Sequence, residues 1–308
     1  MATYLQVTDR VIAVDDIESG REMFAARPYI LAHPELKELP IFGEFRGKDN
    51  PELILSLEKR PQVIFKTFPE SGYDGQELMD RTGIPVVTLA YGDLLSGRED
   101  LYGSLRLMGR ILGVSDRAEE VIAFFDKTLA ELEVLSSGSA GSPSSYIGGI
   151  AYKGTRGITS TEQQYPPFVF TKTNAVLEAA KTTRQIDISK EQILSWDPEI
   201  IFIDISSILS GDESNSIYEL QHREYYQHLQ AVHDGRVYGV LPYNLYTQNF
   251  GSILADAYYI GTIVHEENFS GIDPELKADE IYEFLLGEKV FSLVNEACRD
   301  LAFERLPL

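Results

Sequence analysis

One structural unit occurs twice in this sequence, once in each half of the chain. In each copy, an amphipathic helical segment is followed by a turn marked by proline and then by a short apolar strand. The first copy covers residues 51–65 (PELILSLEKRPQVIF), and the second covers residues 190–202 (KEQILSWDPEIIF). Strands that alternate with helices predict an α/β fold with mainly parallel sheets flanked by helices. Two copies of the unit predict two lobes of similar topology.

The region between the two copies predicts a long connecting helix. Residues 100–112 carry apolar side chains at helical spacing and end at Gly113, a residue type that commonly stops a helix. Ser115 is a suitable N-cap for a second helix over residues 116–135, which at 1.5 Å per residue would be roughly 30 Å long. The segment 136–145 (SSGSAGSPSS) has the composition of a flexible linker. We therefore predict three segments: an N-terminal lobe (1–113), a linking helix (114–136) and a C-terminal lobe (137–308).

Charge and cysteine content exclude several kinds of site. The chain has 48 Asp and Glu residues against 27 Lys and Arg, a net charge of −21. Nucleic-acid phosphates need a basic surface, so no nucleic-acid partner is expected. The lone cysteine, Cys298, supports neither an intrachain disulfide nor a cysteine-based metal cluster. His222, His228 and His233 are not spaced to share one helical turn, so a surface helix is favoured over a zinc site.

Motifs of common enzymes are missing from the sequence. It contains no Gly-x-Ser-x-Gly elbow, no phosphate-binding Gly-Lys-Ser/Thr loop and no His-Glu-x-x-His. We therefore predict a binding protein without catalysis, cofactor or metal centre. The enzyme alternative is a cofactor-binding component with two α/β lobes, of the nitrogenase-like kind, but such a component normally brings several cluster-ligating cysteines.

The order and spacing of these segments resemble the class III solute-binding proteins of ABC importers, which take up iron–siderophores, haem, cobalamin and some oxyanions. The family pattern is an acidic residue, an apolar helix and a strand opened by proline. It is matched by Glu52 with residues 61–64 (PQVI) and by Glu191 with residues 198–201 (PEII). The resemblance covers nearly the whole chain. It implies two α/β lobes joined by one long helix, with a ligand cleft between them, in a protein that acts as a monomer.

One departure from the family concerns the first lobe and the location of the protein. Family members usually have a strand and a helix, preceded by a secretion signal, ahead of the segment that here covers residues 9–14 and includes a short strand over 11–14. The first residues show no basic region followed by an apolar run. We expect the first lobe to lack its opening strand. The resemblance implies a periplasmic or cell-surface-anchored protein, and a cytoplasmic sensor derived from a binding protein is the alternative.

Candidate ligand contacts lie in loops that follow strands, because open α/β sheets bind ligands at the carboxyl ends of their strands. They are rich in cations and tyrosines: Arg46, Lys66, Tyr152, Lys153, Arg156, Tyr165, Tyr243 and Tyr246. Cations suit an anionic ligand, and arginine binds one bidentately. Tyrosine adds stacking area and a hydroxyl group. An iron–chelate is the first choice of ligand, and haem, a corrinoid or a tungstate-like oxyanion are the alternatives.

The resemblance also implies a partner in the membrane. One acidic residue on each lobe of a family member docks onto basic residues of the ABC permease, and Glu52 and Glu191 occupy these positions here. Two exposed carboxylates, one on each lobe, would orient an electrostatic contact. The alternative is a pair of solvated glutamates that stabilise the first turns of their helices through the helix dipole.

Overall fold

The computed structural model describes residues 1–19, 26–68, 70–138, 141–177, 185–209 and 215–308. These residues divide into two compact units. Unit 1 is formed by Met1–Ala25, Tyr29–Phe124 and Leu285–Gly287, and unit 2 is formed by Ala26–Pro28, Phe125–Phe284 and Glu288–Leu308. Each unit therefore takes most of its residues from one half of the chain and a short segment from the other.

Strands and helices alternate along much of the described chain. The strands are β1 (Val14–Asp15), β2 (Ile41–Glu44), β3 (Lys48–Asp49), β4 (Ile64–Lys66), β5 (Val86–Thr88), β6 (Ser145–Gly148), β7 (Ser160–Glu162), β8 (Gln185–Asp187), β9 (Ile200–Asp204) and β10 (Val237–Val240). The helices are α1 (Pro28–Ala32), α2 (Pro51–Ser56), α3 (Gly75–Thr82), α4 (Arg98–Leu112), α5 (Ser115–Leu135), α6 (Pro166–Phe170), α7 (Lys190–Trp196), α8 (Ser216–His222), α9 (Gln230–His233), α10 (Phe250–Val264), α11 (Glu266–Phe269), α12 (Pro274–Leu286) and α13 (Phe291–Ala297).

Unit 1 contains two small sheets. In one, β1 pairs in parallel with β2, and β2 pairs with β3 in the antiparallel direction. In the other, β4 and β5 are parallel, with Ile64 opposite Val86. Ile54 of α2 packs with Ile64, Leu78 and Ile84 in a buried cluster. The first copy of the helix–turn–strand unit therefore forms as the sequence predicts, because its apolar positions meet in one core.

Unit 2 has a three-stranded parallel sheet in the order β10-β9-β6. Its central strand, β9, is buried at every residue, which explains why the sequence IIFID reads as one apolar run. Helix α10 is buried along nearly its whole length. A further antiparallel pair joins β7 to β8. The predicted α/β fold with mainly parallel sheets flanked by helices is therefore confirmed.

Capping residues determine where several helices begin or end. The Asp74 carboxylate accepts a hydrogen bond from the Glu77 amide at the start of α3, and Gly83 ends that helix in the left-handed conformation, with φ of 65°. Gly113 ends α4 in the same way, with φ of 69°. Helix α5 begins in unit 1 and ends in unit 2, because the division falls after Phe124.

Two sequence predictions need adjustment in detail. The strand expected over residues 11–14 begins at Val14, after a 3-10 turn at Thr8–Arg10. The helix expected to carry His222 and His228 is two pieces, since α8 ends at His222 and a 3-10 turn covers Glu224–His228. Across the described ranges, each helix is too short or too polar to cross a lipid bilayer.

Candidate functional site

A tight loop after β6 carries three of the predicted ligand residues in unit 2. Gly149, directly after the strand, has φ of 79°, and an added Cβ would lie 2.8 Å from the Ser207 Cβ. The chain then turns at Lys153, with φ of 54°, and at Gly154, with φ of 126°. Tyr152, which directly precedes this turn, is 46% exposed. We call residues 151–157 the Tyr152 loop.

Two cations contact Tyr152, one at its ring and one at its backbone. The Lys153 ammonium is 5.4 Å from the centre of the Tyr152 ring. The Arg156 Nε donates a hydrogen bond to the Tyr152 carbonyl oxygen at 3.1 Å, and its Nη1 is 4.0 Å from the Asp187 carboxylate. Both cationic side chains are exposed. The loop therefore presents an aromatic face and positive charge to solvent in a chain whose net charge is −21.

Two side chains attach the Tyr152 loop and the residue after it, Ile158, to neighbouring segments. The Glu219 carboxylate of α8 accepts a hydrogen bond from the Ile158 amide at 2.9 Å, and partial burial raises the pKa of that carboxyl group. The Asn244 amide donates to the Ala151 carbonyl oxygen at 2.8 Å. Asn244 belongs to the segment after β10, where Tyr246 is half-buried and adopts a left-handed φ of 81°. The loops after β6 and β10 are thus held together.

Tyr165 and Tyr243 lie beneath the surface of unit 2. Both are almost completely buried, and their ring centres are 5.8 Å apart. The Tyr165 hydroxyl donates to the Asp256 carboxylate at 3.3 Å, and the Tyr243 hydroxyl donates to the Glu162 carboxylate. Their hydroxyl groups therefore bind protein carboxylates in this structure. Their expected contact with a ligand stays a prediction.

Burial shifts the charge state of this cluster toward neutral. Desolvation raises the pKa of Asp204 to about 7, against the opposing effect of the Ser206 amide, which donates to its carboxylate at 2.9 Å. Desolvation also holds the pKa of Asp256 well above its usual range, and the nearby Asp204 charge adds to the shift. The same burial keeps Tyr165 and Tyr243 as neutral phenols.

The predicted contacts in unit 1 lie at the ends of β2 and β4. Arg46 is exposed, with φ of 62° and its guanidinium 5.5 Å from the centre of the Phe45 ring. Lys66 is buried, and its ammonium donates to the Asp49 carboxylate at 2.5 Å, the Gly47 carbonyl at 2.8 Å and the Ser71 carbonyl at 3.1 Å. Lys66 therefore fixes the turn that follows Arg46. Its contact with a ligand stays a prediction.

Glu52 and Glu191 occupy the same position in two equivalent helices. Each is the second residue of its helix, α2 or α7, and each side chain is exposed. Asn50 caps α2 and Ser189 caps α7, so the first turn of each helix is well ordered by side-chain hydrogen bonds. The repeat identified in the sequence thus presents one carboxylate on each unit at matching positions.

Comparison with known proteins decides the family. Residues 51–243 match the family model described as periplasmic binding protein. This chain belongs to the periplasmic binding protein family. Its members are non-enzymatic solute-binding proteins of ABC importers, so the prediction of a binding protein without catalysis is confirmed. Family membership also implies an extracytoplasmic location.

Solved structures of similar fold belong to the same class. A periplasmic solute binding protein from Veillonella parvula DSM 2008 aligns over 96% of this chain and 87% of its own, with 18% identity and a TM-score of 0.69. The Haemophilus influenzae protein MolA, bound to molybdate, aligns over 94% and 89%, with 16% identity and a TM-score of 0.65. The haem binding protein HutB of Vibrio cholerae aligns over 85% and 93%, with 16% identity and a TM-score of 0.59. A search of curated proteins found no match to the sequence.

Sequence reasoning missed the buried acids of this binding protein. Glu162, Asp204 and Asp256 were not among the predicted residues, yet two of them follow a recognisable pattern. Asp204 ends the apolar strand IIFID, and Asp256 lies within the apolar helical sequence ILADAYYIG. A carboxylate inside such a run is buried with a hydrogen-bond partner or protonated.

Among the described residues, no group of three or more His, Cys, Asp or Glu side chains is arranged to hold a metal ion.

Proposed function

We propose that this binding protein captures an anionic metal chelate, with an iron–chelate as the first choice, and delivers it to an ABC permease. The observation that carries the proposal is the Tyr152 loop, where the Lys153 ammonium lies beside the ring of the exposed Tyr152 and the exposed Arg156 bonds the Tyr152 carbonyl oxygen. An aromatic face stacks on a planar organic ligand, and the guanidinium group pairs with carboxylate or other oxyanion groups. The protein would act in the periplasm or anchored at the cell surface.

The predicted site residues fall into two roles in this proposal. Five side chains that are exposed or half-buried contact the ligand: Arg46, Tyr152, Lys153, Arg156 and Tyr246. Lys66, Tyr165 and Tyr243 were also predicted as ligand contacts, and because they are buried we propose that they hold the loops in place instead. This division follows from exposure, because a buried hydroxyl or ammonium that already binds a protein carboxylate gains little from a ligand oxygen.

Solved structures of similar fold supply the ligands to test beside iron–chelates. MolA is described as bound to molybdate, HutB as a haem binding protein, and a further Vibrio cholerae protein, BtuF, as a vitamin B12 binding protein. Haem and the corrinoid are large and would stack on the rings of Tyr152 and Tyr246. Molybdate would use mainly the cations. The sequence identity to each is below 25%, so the ligand of this chain has to be measured.

The decisive experiment screens the purified chain by thermal shift and calorimetry against ferric catecholate, ferric citrate, haemin, cyanocobalamin, molybdate and tungstate. A ligand at a hundred times its Kd should stabilise the fold by about 2.7 kcal/mol. Arg156→Ala and Tyr152→Ala should weaken its binding at least tenfold and leave the melting temperature of the free protein unchanged. Arg106→Ala is the matched control, because Arg106 is an exposed arginine of α4 paired with Glu119.

Two results of that screen would contradict the proposal. The first is the absence of any thermal shift with all six compounds. The second is a ligand whose affinity is the same in wild type, Arg156→Ala and Tyr152→Ala, because the Tyr152 loop would then lie outside the binding site. A preference for molybdate over every chelate would keep the transport function and replace the iron–chelate by an oxyanion.

Delivery to the permease would depend on Glu52 and Glu191. We propose that these matching carboxylates contact basic residues of the permease, and that the protein docks as a monomer. Glu52→Gln with Glu191→Gln should abolish ligand uptake by cells carrying the transporter while leaving ligand affinity unchanged. Glu288→Gln, which changes an exposed glutamate of unit 2, is the control. Normal uptake by the double variant would refute the docking role. Light scattering would show whether the protein is a monomer in solution.

A further inference from the structure

A carboxylate on the neighbouring strand of unit 2 faces the Tyr152 loop. Asp187 is the last residue of β8, and its carboxylate lies 4.0 Å from the Arg156 Nη1. Both side chains are exposed, by 57% for Asp187 and 41% for Arg156. Asp187 was not among the residues predicted from the sequence. A loop proposed to attract anions through two cations therefore has a negative charge beside one of them.

Backbone pairing fixes the position of this carboxylate. Asp187 lies opposite Ser160 in the antiparallel pair of β7 and β8. The next residue, Ile188, donates its amide to the Thr159 carbonyl oxygen at 3.0 Å. The strand that carries Asp187 is thus bonded to the segment that directly follows the Tyr152 loop. Its charge therefore has a fixed place beside that loop.

Arg156 is held in place by a different partner. Its Nε donates a hydrogen bond at 3.1 Å to the Tyr152 carbonyl oxygen, within the same loop. The 4.0 Å contact with Asp187 is longer than the distance of about 2.7–2.9 Å that is typical of a hydrogen bond between charged groups. It is an electrostatic attraction between exposed groups, and such pairs contribute little to stability. Loss of the Asp187 charge therefore leaves Arg156 in position to bind an oxyanion.

Fixed charges around Arg156 decide how strongly an anion is attracted. Lys153 and Arg156 are both exposed cations, and the charge of Asp187 opposes theirs. Glu219 also lies close, but it is half-buried and its carboxylate already accepts the Ile158 amide at 2.9 Å. Asp187 is exposed and faces the guanidinium group itself. An anion bound to Arg156 is therefore repelled by Asp187 at short range.

The strength of this repulsion depends on the size of the ligand. Coulomb energy falls in inverse proportion to distance, and physiological salt screens it over about 8 Å. A compact oxyanion bound at Arg156 places its whole charge within that range of Asp187. A large chelate spreads its charge over a molecule that extends further, and it also stacks on the exposed ring of Tyr152. Asp187 therefore weakens the binding of a compact oxyanion more than that of a chelate.

We propose that Asp187 is a specificity-determining residue of the Tyr152 loop, which disfavours compact oxyanions relative to large chelates. This inference rests on the proposed function, because it takes Arg156 as a ligand contact. Asp187 acts through its charge and does not itself bind the ligand. Selection of this kind weakens the binding of the wrong ligand instead of adding contacts to the right one.

The test titrates the full chain with molybdate and follows the Arg156 Nε–H signal by NMR, which detects binding at millimolar concentrations. Asp187→Asn should bind molybdate about two- to fivefold more tightly than wild type, the range expected for one exposed charge pair. Asp187→Glu keeps the charge and should bind it as wild type does. High salt should shrink the gain of Asp187→Asn, because it screens the charge. Glu133→Gln is the matched control, because Glu133 is an exposed carboxylate paired with Lys172 elsewhere in unit 2.

The same variants are then titrated with haemin as the large chelate. Asp187→Asn should change the affinity for haemin by less than about twofold, so the preference shifts toward molybdate. If haemin does not bind to any form, that result counts against the chelate part of the proposed function. The molybdate titration still decides the role of Asp187, because it does not depend on a chelate.

Three results would overturn the proposal. The first is an Arg156 signal that molybdate leaves unchanged in both wild type and Asp187→Asn. The second is an affinity for molybdate that Asp187→Asn leaves equal or lowers, since a lower affinity would mean that Asp187 positions Arg156. The third is an equal gain for haemin and molybdate, because the substitution would then open the loop in general instead of changing its charge selectivity.

Discussion

The Lys66 ammonium lies 2.5 Å from the Asp49 carboxylate, and the two side chains are 2% and 6% exposed. Seventeen residues separate them in the chain. Carbonyl oxygens of Gly47 and Ser71 accept further hydrogen bonds from the ammonium group, so its charge is well compensated. The pair connects the end of β4 to the turn beside Arg46. The turn that carries Arg46, a proposed ligand contact, is therefore held in place by an ion pair within the protein, whether or not a ligand is bound.

Removing one partner of this pair should destabilise the protein strongly. Asp49→Asn or Lys66→Met leaves the other group charged and buried, which costs about 3–5 kcal/mol of the free energy of unfolding. The double variant Asp49→Asn with Lys66→Met should lose less than the sum, because no uncompensated charge remains. Urea denaturation measures all three. Lys48→Ala, which removes the exposed pair with Glu44, should change stability by less than about 1 kcal/mol, and an equal loss there would contradict the argument.

Stability should fall as pH rises toward neutral because of Asp204. Its pKa is about 7 in the folded chain against an ordinary value of 3.8, so between these values the folded chain binds more protons than the unfolded chain. The contribution is complete below about pH 4 and is lost as pH rises through about 7. Asp204→Asn keeps the acceptor for the Ser206 amide and removes the titration. Its melting temperature should therefore vary less than that of wild type between pH 5 and pH 8.

The control for this pH dependence is Asp116→Asn, which changes an exposed carboxylate in the first turn of α5. That variant should keep the wild-type slope of melting temperature against pH. If Asp204→Asn keeps it as well, the buried carboxyl group does not titrate in this range. Asp256, which also has a raised pKa, would then be the group to substitute next.

The sequence predicted those parts of the fold that depend on local signals. Helix α4 ends at the predicted residue, because Gly113 closes it in the left-handed conformation. Strand β9 was predicted from an unbroken apolar run, and its complete burial in a parallel sheet explains that run. Strand β1 was predicted too early. Residues 11–13 are apolar but line a cavity of unit 1 without strand pairing, and apolar character alone does not distinguish a strand from a cavity wall.

The candidate site was harder to predict because it depends on contacts between distant residues. The position of Lys66 at the end of a strand suggested a ligand contact, whereas its burial depends on Asp49 and Ser71 in two separate turns. Tyr165 and Tyr243 were predicted as ligand contacts in loops, and in this structure both are buried with their hydroxyl groups bonded to Asp256 and Glu162. Hydrophobic periodicity indicates which face of a helix or strand is apolar. It carries no information about which loops, distant in sequence, contact each other in the fold.

Asn244→Ala should separate the loops after β6 and β10. The amide of Asn244 bonds the Ala151 carbonyl at 2.8 Å, so its loss leaves the Tyr152 loop without that support. We expect the affinity for the ligand found by the screen to fall at least fivefold, with a stability change of about 1 kcal/mol. Asn174→Ala is the control, because Asn174 makes the same kind of bond to the Ser142 carbonyl elsewhere in unit 2. Equal effects of the two variants on affinity would speak against a loop-positioning role.

Substitution by alanine should change stability in opposite directions at two glycines, Gly103 within α4 and Gly113 at its C-terminal end. An added Cβ would meet nothing within 4 Å at either Gly103 or Gly113. Gly103 lies inside the helix, so Gly103→Ala should raise the free energy of unfolding by about 0.5–1 kcal/mol. Gly113 has φ of 69°, so Gly113→Ala should lower it by about 1 kcal/mol, and Gly113→Asn should lower it less. Urea denaturation gives both signs, and a stabilising Gly113→Ala would mean that the end of α4 is not left-handed in solution.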